Sequence, residues 1–599
     1  MREYGKVKGE QSVGYSLGEE DRKDKDSEQQ VISGEEEESF SRKEDAWEQE
    51  IEEDDEEEEG FSFRSFCEET VSLLLTAYLF VMFCIYPFYM QNGYVNIGDI
   101  KYNFYKYVTM GAFALLIPLG VLCSLLKYGG MLGKQKKDTA GLIEQRRESA
   151  GYLWNYLSVT DWLVLFYGVS VGISYICSEF KSGALWGEDG WHMGLVSQLL
   201  FVLSYFLISR FWEYEKYLLF AFLAASSVVF SLGILNRFSV YPIEIEGANN
   251  GFLSTMGNIN WYCGYWSVLF PIGFMLYWSI DNMWIRLAGL AGSVIGIGAG
   301  VTQGSASAFL VLAGMYLFVF CLSCRESARM KRWLELVFLY GLTCQGLRLW
   351  KLLQPEAFNY YSGSLSDWMT STRVTGWLLI PVAIIYILLH LADRNGDAGI
   401  RRFKLFRQII LLVLVIGAGI YLLLLVLNSR IDGGIRFMAD LSIFTFSNQW
   451  GSARGATWQA GAEIVKHMSE LEKLTGVGPD CFARKLYTIP VVAEWVNKQF
   501  DGARLTNAHN EWLTVLVNHG VPGLISYGGI FVTAVLRYIY AAGKLPGRIN
   551  RHLYIFGMCA FAYTIHNVVS FQQVLSTPMV FLLLGMGERL WKDLRAESK

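Results

Sequence analysis

The sequence lacks the signatures of several large protein classes. It has no Walker A loop and no GxGxxG-type fingerprint, which argues against a bound nucleotide as its energy source. Its 10 Cys form no CxxC…CxxC pair and no Cys/His cluster with zinc spacing, and Cys321-x-x-Cys324 stands at the end of an apolar run. The first 60 residues have neither the charged start nor the short apolar core of a cleavable signal peptide, which leaves membrane insertion to the first membrane helix itself. No DxD-like acidic pair occurs in the loops read below as outward-facing, so a metal-held nucleotide sugar is not supported. Ionisable residues are almost absent from the middles of the long apolar runs, and ion-coupled transporters normally need such groups at that depth.

What is present is apolar surface on a scale that a soluble chain does not carry. Of 599 residues, 52% are hydrophobic and 15% aromatic, with a mean hydropathy of +0.27. The formal charge of −6 hides a split: residues 1–60 hold 24 Asp+Glu against 8 Lys+Arg, whereas the remaining residues hold 33 acids and 43 bases. The acidic runs Glu35–Glu38 and Glu52–Glu59 read as a solvated, disordered tail over residues 1–62. The body that follows reads as a membrane protein.

A bilayer core of ~30 Å needs about 20 apolar residues per helix. Segments of that kind fall near 71–90, 104–126, 160–177, 193–209, 217–236, 261–280, 286–301, 306–322, 334–353, 375–391, 408–427, 521–540, 553–570 and 577–591, predicting an all-α polytopic protein of about 14 (12–14) spans. With the N-terminus inside, the cytoplasmic segments carry 25 Lys+Arg, whereas the short outer loops carry only Lys101, Lys181, Arg237 and Arg373. Both termini are thereby expected in the cytoplasm. The organisation reads as spans 1–11 over 63–427, a large outer loop over 428–510, and the last spans with a cytoplasmic tail over 511–599.

The loop 428–510 is nearly neutral, with 9 Lys+Arg and 8 Asp+Glu, as expected of a folded element. Ser452–Leu471 reads as a helix, with Trp458, Ala462, Val465 and Met468 on one face and a stop at Gly476-Val-Gly478-Pro479. Pro479 and Asp480 can start a second short helix through Leu486. Ungapped insertions of this size usually have a task.

Candidate chemistry gathers around that loop. Ala508-His509-Asn510-Glu511 lies where the loop re-enters the membrane, ahead of a helix broken by Gly520, Pro522 and Gly523. An imidazole there can accept a proton from a hydroxyl at neutral pH, or simply hydrogen-bond the loop. Arg454, in Gly451-Ser452-Ala453-Arg454-Gly455, stands at a helix start, where a guanidinium fork and helix N–H groups suit a diphosphate; a pairing with Asp440 is the plainer alternative. Arg373 is a second candidate anion ligand. Asn258 and Asn260, in Gly257-Asn-Ile-Asn260, can line a polar cavity, although a helix N-cap explains either equally. Ser305, in Thr302-Gln-Gly304-Ser305, fits a tight turn and N-cap.

These motifs, in this order around a large outer loop, resemble the O-antigen ligase family, which includes O-antigen polymerases and bacterial oligosaccharyltransferases. The resemblance covers residues 150–590 and rests on Gly257–Asn260, Gly304-Ser305, Arg454-Gly455 with Trp458, Gly476–Pro479 and His509-Asn510…Gly520…Gly523. It implies a GT-C-like glycosyltransferase without metal or other cofactor. Such an enzyme takes a glycan from an undecaprenyl-diphosphate carrier at the outer face of a bacterial inner or plasma membrane. The acceptor is a glycan, lipid or protein. By the resemblance His509 is the base or orients the acceptor, Arg454 grips the leaving diphosphate, and Asn510 positions His509. Arg373, Asn258, Asn260, Ser305, Gly476 and Gly478 then contribute to substrate binding. Many members place Arg after the Ser of the Gly-Ser turn, and here Ala306 stands there. The partners implied are the lipid bilayer, the lipid-linked donor and polysaccharide-assembly proteins, with no nucleic acid. A polymerase of the same family, a lipid-linked oligosaccharide flippase and an inactive scaffold are the alternatives.

Overall fold

The computed structural model describes residues 62–135, 157–359, 363–392, 398–430, 441–545 and 548–598. The chain divides into residues 1–66 and 67–599. The acidic tail, up to residue 61, lies outside the described residues, as does Asp440.

The described residues are almost wholly helical. The first half supplies α1 (Phe63–Phe80), α2 (Ile97–Gln135), α3 (Val159–Cys177), α4 (Leu195–Phe211), α5 (Tyr217–Arg237), α6 (Ile259–Ser279), α7 (Met283–Thr302) and α8 (Ala306–Ser323). The rest supplies α9 (Ser327–Leu353), α10 (Leu379–Ala392), α11 (Ala398–Arg430), the loop helices α12 (Trp450–His467), α13 (Glu470–Thr475), α14 (Phe482–Leu486) and α15 (Pro490–Gln499), and then α16 (Glu511–Lys544), α17 (Leu553–His566) and α18 (Thr577–Glu597). A two-stranded antiparallel ribbon, Phe252–Leu253 with Gly257–Asn258, leads into α6. Each of the fourteen apolar runs falls mainly on helix, although the run 553–570 leaves it after His566, and among the described residues nine helices are long and apolar enough to cross a membrane.

The core is built on α6, whose residues from Tyr262 to Ser279 are all buried. It packs on α5, α7 and α17, while α16 packs on α3 and α17, and α18 on α4. By contrast α11 exposes Ile409, Leu412, Val413, Val415, Leu422 and Leu423, a side-chain set suited to lipid and not to water.

Two cations read from sequence as outer-loop charges are in fact buried. Lys101 Nζ donates to the carbonyls of Tyr86 (3.1 Å) and Pro87 (2.8 Å), where α1 runs through a π turn and a 3-10 turn and its last carbonyls lose helical partners. Arg237 donates to the carbonyls of Asn250 (2.9 Å), Asn359 (3.3 Å) and Gln303, bracing the turn at Gly304.

One end of the bundle is held by buried charge. Ser158 and Asp161 form a capping box at the start of α3. Asp161 also accepts from Tyr205 OH at 2.8 Å and faces Arg210 (2.8 Å) and Lys592 (3.0 Å). Arg537 grips Glu588 through both terminal nitrogens, at 2.8 and 3.1 Å. Helices α3, α4, α16 and α18 are thereby tied at the end opposite the large loop.

At the loop-bearing end, α16 breaks at Gly520 (φ 69, ψ −174). The carbonyls freed at Val517 and Asn518 accept from the N–H groups of Val477 (3.0 Å) and Gly478 (3.2 Å), which docks the loop onto the break. Within the loop, the helix expected over Ser452–Leu471 ends at His467, because Ser469 and Glu472 form a capping box that starts α13 afresh. Its buried face is Ala456, Ala460 and Ile464 with Gly455, Thr457 and Gly461; Trp458 and Val465 flank that face and Ala462 is exposed. The reason is that α12 is covered from two directions, by α16 and by α14 and α15. Phe482–Leu486 is helical as expected, and α15, opened by Pro490 at its first position, is additional.

Asp161→Ala removes the carboxylate that two largely buried cations share. We expect a loss of roughly 3–5 kcal/mol, the cost of breaking a buried pair from one side, read as a lower melting temperature of the detergent-purified protein. An unchanged melting temperature would show that the cluster does not hold the bundle.

Candidate functional site

The site begins with a strained turn. Gly451, Ser452 and Ala453 take φ of 62°, 61° and 66°, a left-handed run that costs two non-glycine residues about 1–3 kcal/mol each. It delivers Arg454 against the segment 567–576, which is unwound between α17 and α18. Arg454 Nε donates to Val569 O at 2.9 Å and Nη1 to Gly451 O at 2.8 Å. Among the described residues Nη2 makes no hydrogen bond, so part of the fork of donors stays open. Burial pulls the Arg454 pKa below its usual value, but a guanidinium stays charged at any working pH.

His509 is fixed beside it. Ala508 is locked by Thr457 Oγ1, which donates to its carbonyl at 2.8 Å, and by Thr514 Oγ1, which accepts from its N–H at 3.2 Å. The next residue, His509, takes φ 48°, and its N–H donates to Asn507 Oδ1 at 3.0 Å. The imidazole meets Phe571 edge-on, with ring centroids 5.0 Å apart, and Nδ1 is buried without a partner. Burial, and after it the charge of Arg454, lowers the His509 pKa to about 4, so the ring is neutral at pH 7.

Behind Arg454 lies a cluster of small polar groups. Ser305 Oγ is 2.7 Å from Ser307 Oγ and donates to Asn260 Oδ1 at 3.4 Å. Cys263 Sγ is 3.2 Å from Ser307 Oγ and 3.7 Å from His566 Nδ1. Arg454 is within electrostatic reach of both Cys263 and His566. Gln573 Nε2 donates to Asn260 O (3.4 Å) and Ser570 Oγ (3.3 Å). His566 Nε2, Gln573 Oε1 and both polar atoms of the Asn567 side chain are buried without partners.

In front of His509 opens a cleft of about 370 Å³, bordered by Tyr94, Asp99, Trp191, Asn258, Asn260 and Trp261 among others, with His509 and Phe571 on its wall. That volume is in the ~300–1,000 Å³ range of small-molecule sites. Among the described residues, no three His, Cys, Asp or Glu side chains gather as a metal site.

The structure thus brings His509, Arg454, Asn258, Asn260 and Ser305 together, with Asn258 capping α6 through Asn260 N–H (2.8 Å). Three expected site residues stand elsewhere. Arg373 is exposed ahead of Val374, with no hydrogen-bond or ion-pair partner for its side chain among the described residues. Gly476 (φ 80) packs on Asn518 and His519, and Gly478 (φ 125) on Ser178; a Cβ at either would collide there, and neither lines the cleft. Asn510 caps α16 through Leu513 N–H (2.9 Å) and donates to Val568 O (3.0 Å), so the side chain that reaches His509 is that of Asn507. Asp480, next to that glycine turn, accepts from the N–H groups of Glu188 (2.8 Å) and Met193 (2.9 Å), and burial raises its pKa to about 6. Residues not singled out from sequence include Asp99, His192, Asn507 and His566. An Asn two residues before the His-Asn pair was the one visible sign among them.

Comparison with known proteins adds one match: a family model described as O-Antigen ligase covers residues 364–528, a stretch that takes in Arg454, the Gly476–Pro479 turn and His509. No curated protein matches the chain.

The depressed His509 pKa has a consequence for stability. Between about pH 6.5 and 4 the unfolded chain takes up a proton on this imidazole that the folded protein refuses, so stability falls as pH drops through that window. Asp480, with its raised pKa, acts in the opposite sense between about pH 4 and 6. A melting-temperature series from pH 7 to 4 on wild type and His509→Gln isolates the first effect: the wild type should lose more than the variant. Parallel curves would mean that His509 is not buried as described.

Proposed function

We infer that the chain, whose residues 364–528 match the O-antigen ligase family model, is a membrane glycosyltransferase of the ligase and polymerase type. From this we propose that the protein transfers a glycan from a polyprenyl-diphosphate carrier, undecaprenyl diphosphate in a bacterial inner or plasma membrane, to a hydroxyl acceptor. The transfer takes place at the outer face, with both termini in the cytoplasm. The observation that carries the proposal is the juxtaposition of Arg454, with donors to spare, and a neutral His509 at the wall of a cleft.

The chemistry suits a carrier that already stores the bond energy. Arg454 takes the diphosphate in its open fork. The acceptor oxygen bonds to the anomeric carbon. The bond from that carbon to the diphosphate oxygen breaks, with its electron pair leaving on the diphosphate, and the hydroxyl proton passes to the His509 imidazole. Charge compensation supports that last step. A diphosphate bound to Arg454 offsets one of the two causes that depress the His509 pKa, so the ring gains proton affinity as the leaving group gathers negative charge. With no Arg after Ser305 and Arg373 distant in role, Arg454 is the cation on which the donor depends.

The test is the carrier-linked glycan of cells lacking the gene, rescued with wild type or variants. Wild type should clear the carrier. His509→Ala and Arg454→Ala should leave it loaded at the outer face, with turnover reduced about 10²- to 10³-fold or more, and Arg373→Ala should behave as wild type. Full rescue by both site variants would exclude transfer at this site, and carrier loaded on the cytoplasmic face would point to a flippase.

A further inference from the structure

The cleft in front of His509 has a chemistry of its own. Its walls are aromatic: Trp191 stands edge-on to Trp261 (5.6 Å between centroids) and to Phe571 (4.8 Å), and Tyr94 packs on Phe252 at 4.9 Å. Between these faces sit polar groups with capacity unused. Asp99 Oδ1 meets His192 Nε2 at 2.6 Å and accepts from Gly190 N–H at 3.0 Å, while Oδ2 has no partner among the described residues and 41% of the side chain remains open. His192 is itself held rigid, at φ 53° and stacked on Tyr102 with centroids 4.1 Å apart. The side-chain NH₂ groups of Asn96, Asn258 and Asn260 make no hydrogen bond among the described residues, and all three residues line the cleft. Flat apolar faces flanked by one free carboxylate oxygen and three amide donors match a ring that is apolar on its C–H faces and edged with hydroxyls, each both donor and acceptor.

The cleft also excludes by charge. Among the described residues no Lys or Arg lines it, and Arg454, the cation of the site, is not on its wall. A phosphate or uronate carboxylate entering here meets Asp99 with no cation to compensate, a like-charge contact that costs binding.

We infer that this cleft is the acceptor subsite and that it takes an uncharged sugar unit, with Asp99 Oδ2 accepting from one of its hydroxyls and Trp191 and Trp261 covering its faces. The word acceptor rests on the transferase reading; the saccharide specificity of the cleft does not. Asp99 is held for this by His192 and Gly190, and the acceptor hydroxyl is presented towards His509 on the same wall.

The experiment is equilibrium binding to the full-length protein in nanodiscs, read by quenching of tryptophan fluorescence. The probes are neutral trisaccharides of glucose, galactose, mannose and N-acetylglucosamine, with their 6-phosphorylated and uronate counterparts as the charged set. At least one neutral sugar should bind saturably, with its charged counterpart at least tenfold weaker. Asp99→Asn and Trp191→Ala should each weaken the neutral ligand about tenfold, as expected for losing one charge-assisted hydrogen bond or one aromatic face. Size-exclusion profiles check that each variant is folded. Arg373→Ala, exposed and outside the cleft, should bind as wild type does. The inference is overturned if no neutral sugar saturates, if charged sugars bind equally well, or if both cleft variants bind normally. Should Arg454→Ala and His509→Ala retain full carrier turnover, the transferase reading fails while the binding result still decides what the cleft recognises.

Discussion

Everything at the loop-bearing end depends on a helix that does not continue. An unbroken α16 would satisfy its own carbonyls and leave the N–H groups of Val477 and Gly478 without these partners. The left-handed Gly520 releases the carbonyls of Val517 and Asn518, and the N–H groups of Val477 and Gly478 take them up. Ser174 adds a hydrogen bond to Asn518 O from α3. A polar backbone is tolerated at such a depth only where protein covers it, and here the covering protein is the loop itself. The glycines at 476 and 478 are needed because side chains at those positions would stand in the way of that pairing.

A second discontinuity completes the site. Helix α17 has 14 residues, about 21 Å at the usual rise and short of a ~30 Å bilayer core. The chain beyond it is unwound to residue 576, and its exposed carbonyls become anchoring points: Val569 for Arg454, Val568 for Asn510, Asn567 for Glu511 N–H at 2.9 Å. Arg454, His509 and Phe571 come together at this second break. In that setting the positive charge of Arg454 bears directly on the neighbouring imidazole.

Much of this was legible in the sequence, for definite reasons. Apolar runs of bilayer length need no partner to be recognised, and all fourteen lie mainly on helices, nine of which are long and apolar enough to span among the described residues. The Gly-Val-Pro-Gly stretch at 520–523 announces a break wherever it occurs, and the His-Asn pair ahead of it marks the re-entry of the loop. What stayed hidden depends on contacts between distant segments. Lys101 and Arg237 look like loop charges until the freed carbonyls they satisfy are seen. Asn510 is the residue expected to position His509, but the cap of α16 claims it, and it is Asn507 that accepts from the His509 backbone N–H. Asp99 has no motif at all; it matters because Gly190, His192 and Trp191 arrive from another loop. The buried face of α12 was displaced from the expected one because two sets of neighbours, and not one, cover it.

The cleft draws its walls from both extremes of the membrane-embedded chain, with Asp99 at the second helix and Phe571 just ahead of the last. During vectorial synthesis the early wall is in the bilayer long before the late one has left the ribosome. A chain arrested anywhere in between has neither the floor against which Arg454 is anchored nor the ring against which His509 rests. The site is therefore a property of the finished chain, and no partly inserted intermediate can assemble it.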